Sequence, residues 1–197
     1  PDWSAIRVSI SPDQPQYAGR TIAEIAEERG ADELETALDY IVEDRGQSRV
    51  LVSSISEDDV RSFVQSPDCL VGSDGNSVAP YGVTGQGKPH PRFYGAFARV
   101  LGHYVRELDL LPLPVALHKM TGSTAAALGL VDRGLLRQGY RADITVFDPD
   151  TIAERATFLD PHQFATGVST VLVNGAVVLE DSEHTGALPG QIIRRGD

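Results

Sequence analysis

The chain has 197 residues, 41% of them apolar and 23% charged, with a formal net charge of −11. Those are the proportions of an ordinary globular protein, enough for one large domain or two small ones. The negative charge disfavours nucleic acid and anionic membrane as partners, because both need a basic surface. A single cysteine, Cys69, excludes an internal disulfide and fits a reducing, cytoplasmic setting. No apolar run approaches the roughly 18 residues of a membrane span. No basic stretch leads into an apolar one, so no signal peptide is expected. The chain opens on Pro1 and its only methionine is Met120, which suggests a piece of a longer protein.

In chain order, Ala5 to Ile10 alternates weakly and predicts a strand. Thr21-Ile22-Ala23-Glu24 is a capping-box pattern, and Gly30 is placed to end that helix. Asp32 opens a second helix in the same way. Leu34, Ala37, Leu38, Ile41 and Val42 then fall at helical spacing and form one apolar face of it. Arg49 to Ile55 is a short branched run, read as a buried strand. Ser56 can cap a helix carrying Val60, Phe63 and Val64 that stops before Pro67. Cys69 to Val71 reads as another buried strand. This order predicts parallel β/α units. Beyond a glycine-rich loop, Phe97, Val100, Leu101, Tyr104, Val105 and Leu108 mark a long amphipathic helix. Pro114 suits the first turn of another, reaching Met120. Ser123 to Leu128 forms a short helix stopped by Gly129. From about residue 135 the pattern turns to strands: Ala142 to Phe147, a hairpin about Asn174-Gly175, and a last strand at Gln191 to Arg194.

The candidate chemistry centres on residues 72 to 95. Asp74 follows an apolar run directly. In a parallel β/α barrel that position lines the active site; as Asp-Gly it is equally good turn chemistry. Arg92 could grip a carboxylate with its planar fork, or simply pair with a surface acid. His90 sits beside it in the loop and is the one histidine singled out as a candidate. Gly82 to Pro89 imitates a phosphate loop, but Pro89 stands where a hydroxyl should hold magnesium. Pro89 and Pro91 also oppose the helix that should follow. No two histidines have zinc-motif spacing. Cys69 reads as a small core residue, and Gly72-Ser73-Asp74-Gly75 is not a nucleophile elbow.

The stretch VGSDGNSVAPYGVTGQGKPHPRFYGAFARVLG (71–102) resembles the N-acyl-D-amino-acid deacylases, or D-aminoacylases, of the amidohydrolase superfamily. So do YAGRTIAEIAEERGAD (17–32), SEDDV (56–60), YVREL (104–108), HKMTGSTAAALGL (118–130), DRGLLRQGYRADITVFDP (132–149), DPHQFATGVSTVLVNGAVV (160–178) and HTGALPG (184–190). The long block from Asp74 to Arg92 is the most specific. The resemblance implies an α/β fold: residues 1–134 as the C-terminal part of a (β/α)8 metal-dependent hydrolase barrel, and 135–197 as part of a small β-sandwich domain. It implies hydrolysis of N-acyl-D-amino acids by zinc-activated water. Asp74, at the end of the last barrel strand, would be the general base and then the acid. Arg92, with His90, would bind the substrate carboxylate and fix the amide for attack. The family's metal-binding histidines and its cysteine or glutamate ligand are absent, so no metal ligand is assigned here. The zinc ligands are expected upstream, in a missing N-terminal part, and this chain alone is expected to be inactive. TGSTAA (121–126) also departs from relatives, which often carry a proline there. Alternatives are another amidohydrolase reaction, such as cyclic amide or imide opening, or a non-catalytic remnant that binds an acidic ligand or a partner.

Overall fold

The computed structural model describes residues 1–194 and divides them into two units. The first unit comprises Pro1–Ser56, Asp74–Tyr94 and Arg155–Phe164. The second comprises Glu57–Ser73, Gly95–Glu154 and the chain from Ala165 onward.

In the first unit, strand β1 (Ile6–Ile10) is followed by helices α1 (Ile22–Arg29) and α2 (Glu33–Glu43) and strand β2 (Arg49–Val52). The capping box of α1 is complete. Thr21 Oγ1 accepts from the Glu24 N–H at 3.1 Å, and Glu24 Oε2 accepts from the Thr21 N–H at 2.7 Å. Gly30 ends α1 in the left-handed region at φ 64°. Asp32 caps α2 through the N–H groups of Leu34 and Glu35. Val8, Tyr17, Ile22, Ile25, Ala37 and Tyr40 form the core.

Two expectations fail in this unit. β1 and β2 pair antiparallel, Ile6 opposite Val52, rather than as members of parallel β/α units. β2 is also not buried: Val50 and Val52 are exposed, because β2 is an edge strand whose one ladder neighbour is β1. Helix α2 buries Thr36, Ala37 and Tyr40; Ala37 alone of its apolar stripe is covered, and Leu34, Leu38, Ile41 and Val42 are exposed. Small Ala37 and Thr36 allow close approach, and Tyr40 meets Tyr17 edge to face at 5.9 Å. Hydrophobic spacing marks an apolar face without saying which part of a protein covers it.

The second unit contains α3 (Glu57–Gln65), the last part of α4 (Arg92–Arg99) with its π-wound continuation Val100–Glu107, α5 (Leu113–Met120) and α6 (Gly122–Leu128). A four-stranded antiparallel sheet follows: β3 (Ile144–Phe147), β4 (Val168–Val173), β5 (Ala176–Glu180) and β6 (Glu183–His184). Ala98, Val100, Leu101, Tyr104, Leu111, Ala116 and Ile152 form its core, and Val60, Val64, Val71 and Phe147 pack on it. Lys119 is buried, with Nζ donating to the carbonyls of Val64 in the last turn of α3 and of Ser66 just past it. Cys69 to Val71 is irregular, since no ladder pairs it, and Leu70 is exposed. Gln191 to Arg194 is also irregular; the expected last strand is the short β6 instead. No helix among the described residues is long and apolar enough to cross a membrane.

Candidate active site

Asp74 and Arg92 lie 18 residues apart in sequence and meet in space. Arg92 Nη2 reaches Asp74 Oδ2 at 2.7 Å, and Arg92 Nε donates to the Asp74 carbonyl at 3.2 Å. One guanidinium therefore grips both the side chain and the backbone of the acid. Asp74 holds φ 45°, a left-handed conformation that aspartate tolerates better than most side chains. Its side chain is 89% exposed and that of Arg92 39%. A pair this open to water is worth about 0–1 kcal/mol, so an incoming carboxylate could displace Asp74 from the fork.

His90 joins them through the backbone. Its Nδ1 accepts the Arg92 N–H at 3.0 Å, satisfying a donor at the first residue of α4. Burial and the positive charge of Arg92 push the imidazole below its usual pKa, against a smaller opposing pull from Asp74. An unprotonated Nδ1 is what that bond requires. The ring edge packs on Phe158, centroids 5.0 Å apart.

The prolines do not keep the helix away. α4 begins at Arg92, immediately after Pro91, whose lack of an N–H costs nothing at a helix start. The loop before it is held from two sides. From β1, Ser9 Oγ donates to the Lys88 carbonyl at 2.8 Å, and the Lys88 N–H donates to the Ser9 carbonyl at 2.6 Å. Gly87 fits only as glycine: at φ +72°, a Cβ would lie 2.5 Å from Ile10 Cγ1. From the segment 158–164, Leu159 offers its carbonyl to Lys88 Nζ at 2.6 Å. His162 Nε2 lies 2.9 Å from the Gly87 carbonyl, and its Nδ1 lies 2.8 Å from the Tyr94 hydroxyl. Tyr94 also meets the edge of Phe164.

Asp74, Arg92 and His90 are thus brought together. Sequence reasoning passed over His162, Tyr94 and Lys88. His162 is 68 residues from Tyr94, and no local spacing joins them. Among the described residues, no group of three or more His, Cys, Asp or Glu side chains could hold a metal ion. The residues present therefore do not by themselves fit a zinc site.

The chain belongs to the amidohydrolase family, whose model matches residues 5–179. It is 40% identical to D-aminoacylase of Alcaligenes xylosoxydans xylosoxydans over 92% of its own length and 35% of that protein's. It is 39% identical to N-acyl-D-glutamate deacylase of the same organism, over 96% of this chain and 36% of the relative. A solved structure of N-acyl-D-glutamate deacylase from Bordetella bronchiseptica, complexed with zinc and a phosphonate mimic of the reaction's tetrahedral intermediate, superposes with TM-score 0.84 at 37% identity. That match covers 98% of this chain and 38% of the other. The chain therefore spans a little over a third of the length of the relatives it matches. Such amidohydrolase neighbours imply a fold of the TIM-barrel type.

Proposed function

We propose that this chain is the C-terminal portion of a zinc-dependent N-acyl-D-amino-acid deacylase, which hydrolyses the amide to a free D-amino acid and a carboxylate. Residues 1–134 would contribute to the barrel and 135–197 to the small β-sandwich domain. The observation that carries the reading is the meeting of Asp74 and Arg92, 2.7 Å apart, within the segment most like the deacylases. Asp74 takes a proton from the attacking water as oxygen bonds to the amide carbon. It returns that proton to nitrogen as the C–N bond breaks, so one carboxylate serves as base and acid. Arg92 binds the substrate carboxylate with the donors it now spends on Asp74, and that exchange frees Asp74 for the proton. His90 keeps Arg92 at the head of α4.

The zinc enters this proposal through the relatives alone, and its ligands would lie outside the described residues. The exposed stripe Leu34, Leu38, Ile41 and Val42 supports a body larger than this chain, with those side chains covered by the rest of it. A single cysteine suits a cytoplasmic setting.

The test is Asp74→Asn in the full-length protein. It should lower kcat on an N-acyl-D-amino acid by about 10²–10⁴, the usual worth of general acid–base catalysis. Retained turnover would remove the role. Assays with N-acetyl-D-methionine against a hydantoin separate linear from cyclic amide hydrolysis.

A further inference from the structure

We propose that His162 is a latch that positions Arg92 by tying together the two ends of the segment that carries it. Gly87 lies five residues before Arg92 and Tyr94 two residues after it. One imidazole reaches both, by Nε2 to the Gly87 carbonyl and by Nδ1 to the Tyr94 hydroxyl. A carbonyl only accepts, so Nε2 carries the proton. In the neutral ring Nδ1 then accepts from the Tyr94 hydroxyl. Both nitrogens are thus committed to one tautomer and one orientation. The ring lies edge-on to Tyr94, centroids 5.6 Å apart, and Phe158 and Phe164 on either side pack on His90 and Tyr94.

The segment needs such a tether. Residues 74–91 contain no strand and only one short 3-10 turn, with glycines at 75, 82, 85 and 87. A chain of that composition loses much entropy when ordered. The hydrogen bonds to Gly87 and Tyr94 offset part of that cost. Arginine itself is long, and a displacement of about 1 Å in a clamp can cost a hundredfold in rate. With the backbone fixed on both sides of Arg92, its fork starts from one place.

The inference rests on the deacylase reading for its kinetic readout and on the geometry alone for its spectroscopic one. In the full-length protein, His162→Ala should raise KM for an N-acyl-D-amino acid about tenfold while kcat changes less than about threefold. The same substitution in an Arg92→Ala background should add nothing to KM, because the latch acts through Arg92. His162→Gln, whose amide can still donate to Gly87, should recover part of the loss, and Tyr94→Phe should show a smaller one. An unchanged KM in His162→Ala would overturn the proposal. So would a loss of kcat that simply adds to that of Arg92→Ala, which marks a structural residue. If the wild type hydrolyses no N-acyl-D-amino acid, the deacylase reading fails by itself. The latch is then judged by ¹⁵N relaxation of the Arg92 Nε–Hε group. Loss of order in His162→Ala supports it, and unchanged order refutes it.

Discussion

The β4–β5 hairpin and the loop from Asp74 to Arg92 are both chain reversals rich in turn residues, and they are held in opposite ways. The hairpin is local. Asn174 and Gly175 take φ 48° and 82°, the two positive values a tight two-residue hairpin turn needs, and a ladder runs back from Val173 opposite Ala176. The site loop has no ladder. Its order comes from side chains and carbonyls 68 to 79 residues away: Ser9, Leu159 and His162. A turn closed by its own sequence can tolerate changes around it, whereas a turn closed from elsewhere places its side chains only as well as its tethers hold.

The largest expected effect lies at the functional end of that loop. Arg92→Ala in the full-length protein should raise KM about a hundredfold, the 2–3 kcal/mol of a lost charge-assisted contact. Steady-state kinetics on N-acetyl-D-amino acids checks it, and an unchanged KM would take Arg92 out of the site. Two glycine substitutions then set loop against hairpin directly. Gly87→Ala must force Cβ against Ile10 Cγ1 and the Ser9 carbonyl, so urea unfolding should show a loss of about 2–3 kcal/mol. Gly175→Ala meets open space and suffers only its positive φ, about 1 kcal/mol. Equal losses would mean the loop is no more constrained from outside than the hairpin.

The same contrast explains what was legible beforehand. The capping box at Thr21, the left-handed glycines at 30 and 129 and the Asn174-Gly175 turn are written in neighbouring residues, and each stands where it was read. The resemblance put Asp74 and Arg92 in one site, but their direct contact was not read from the sequence, since a flexible loop of that length specifies no distance. His162 was invisible for the same reason. Strand direction at β2, the covered face of α2 and the state of Cys69 to Val71 all depend on what lies alongside, and a short apolar run carries no record of its neighbour.

A tether in the first unit offers a further test, through pH. The Asp44 carboxyl is fully covered. Burial pushes its pKa up, but bonds from the Ser48 and Ser11 hydroxyls and the Asp13 N–H outweigh this and hold it below its ordinary 3.8. A depressed folded pKa stabilises the fold above the unfolded value, and that stability is lost as pH falls through the folded one. Asp44→Asn should therefore cost about 1–2 kcal/mol near neutrality and progressively less below about pH 4. Urea midpoints taken from pH 7 down to pH 3 check it. A difference that stays constant with pH would mean the charge contributes nothing.

The smallest expected effect belongs to the most local device. Thr21→Ala removes the oxygen that accepts from the Glu24 N–H but leaves the backbone free to keep its course, so the loss should be about 1 kcal/mol. The capping box is reciprocal, so Thr21→Ala and Glu24→Ala should be less than additive. Each alone already releases one side of the pair. The loop should not respond: the Thr21 hydroxyl is spent on the Glu24 N–H, its backbone bridge to Arg7 of β1 survives the substitution, and the Arg92 Nε–Hε resonance should stay where it was. Movement of that resonance would show the cap of α1 to be coupled to the site. The division between locally closed and remotely tethered parts would then fail at its simplest point.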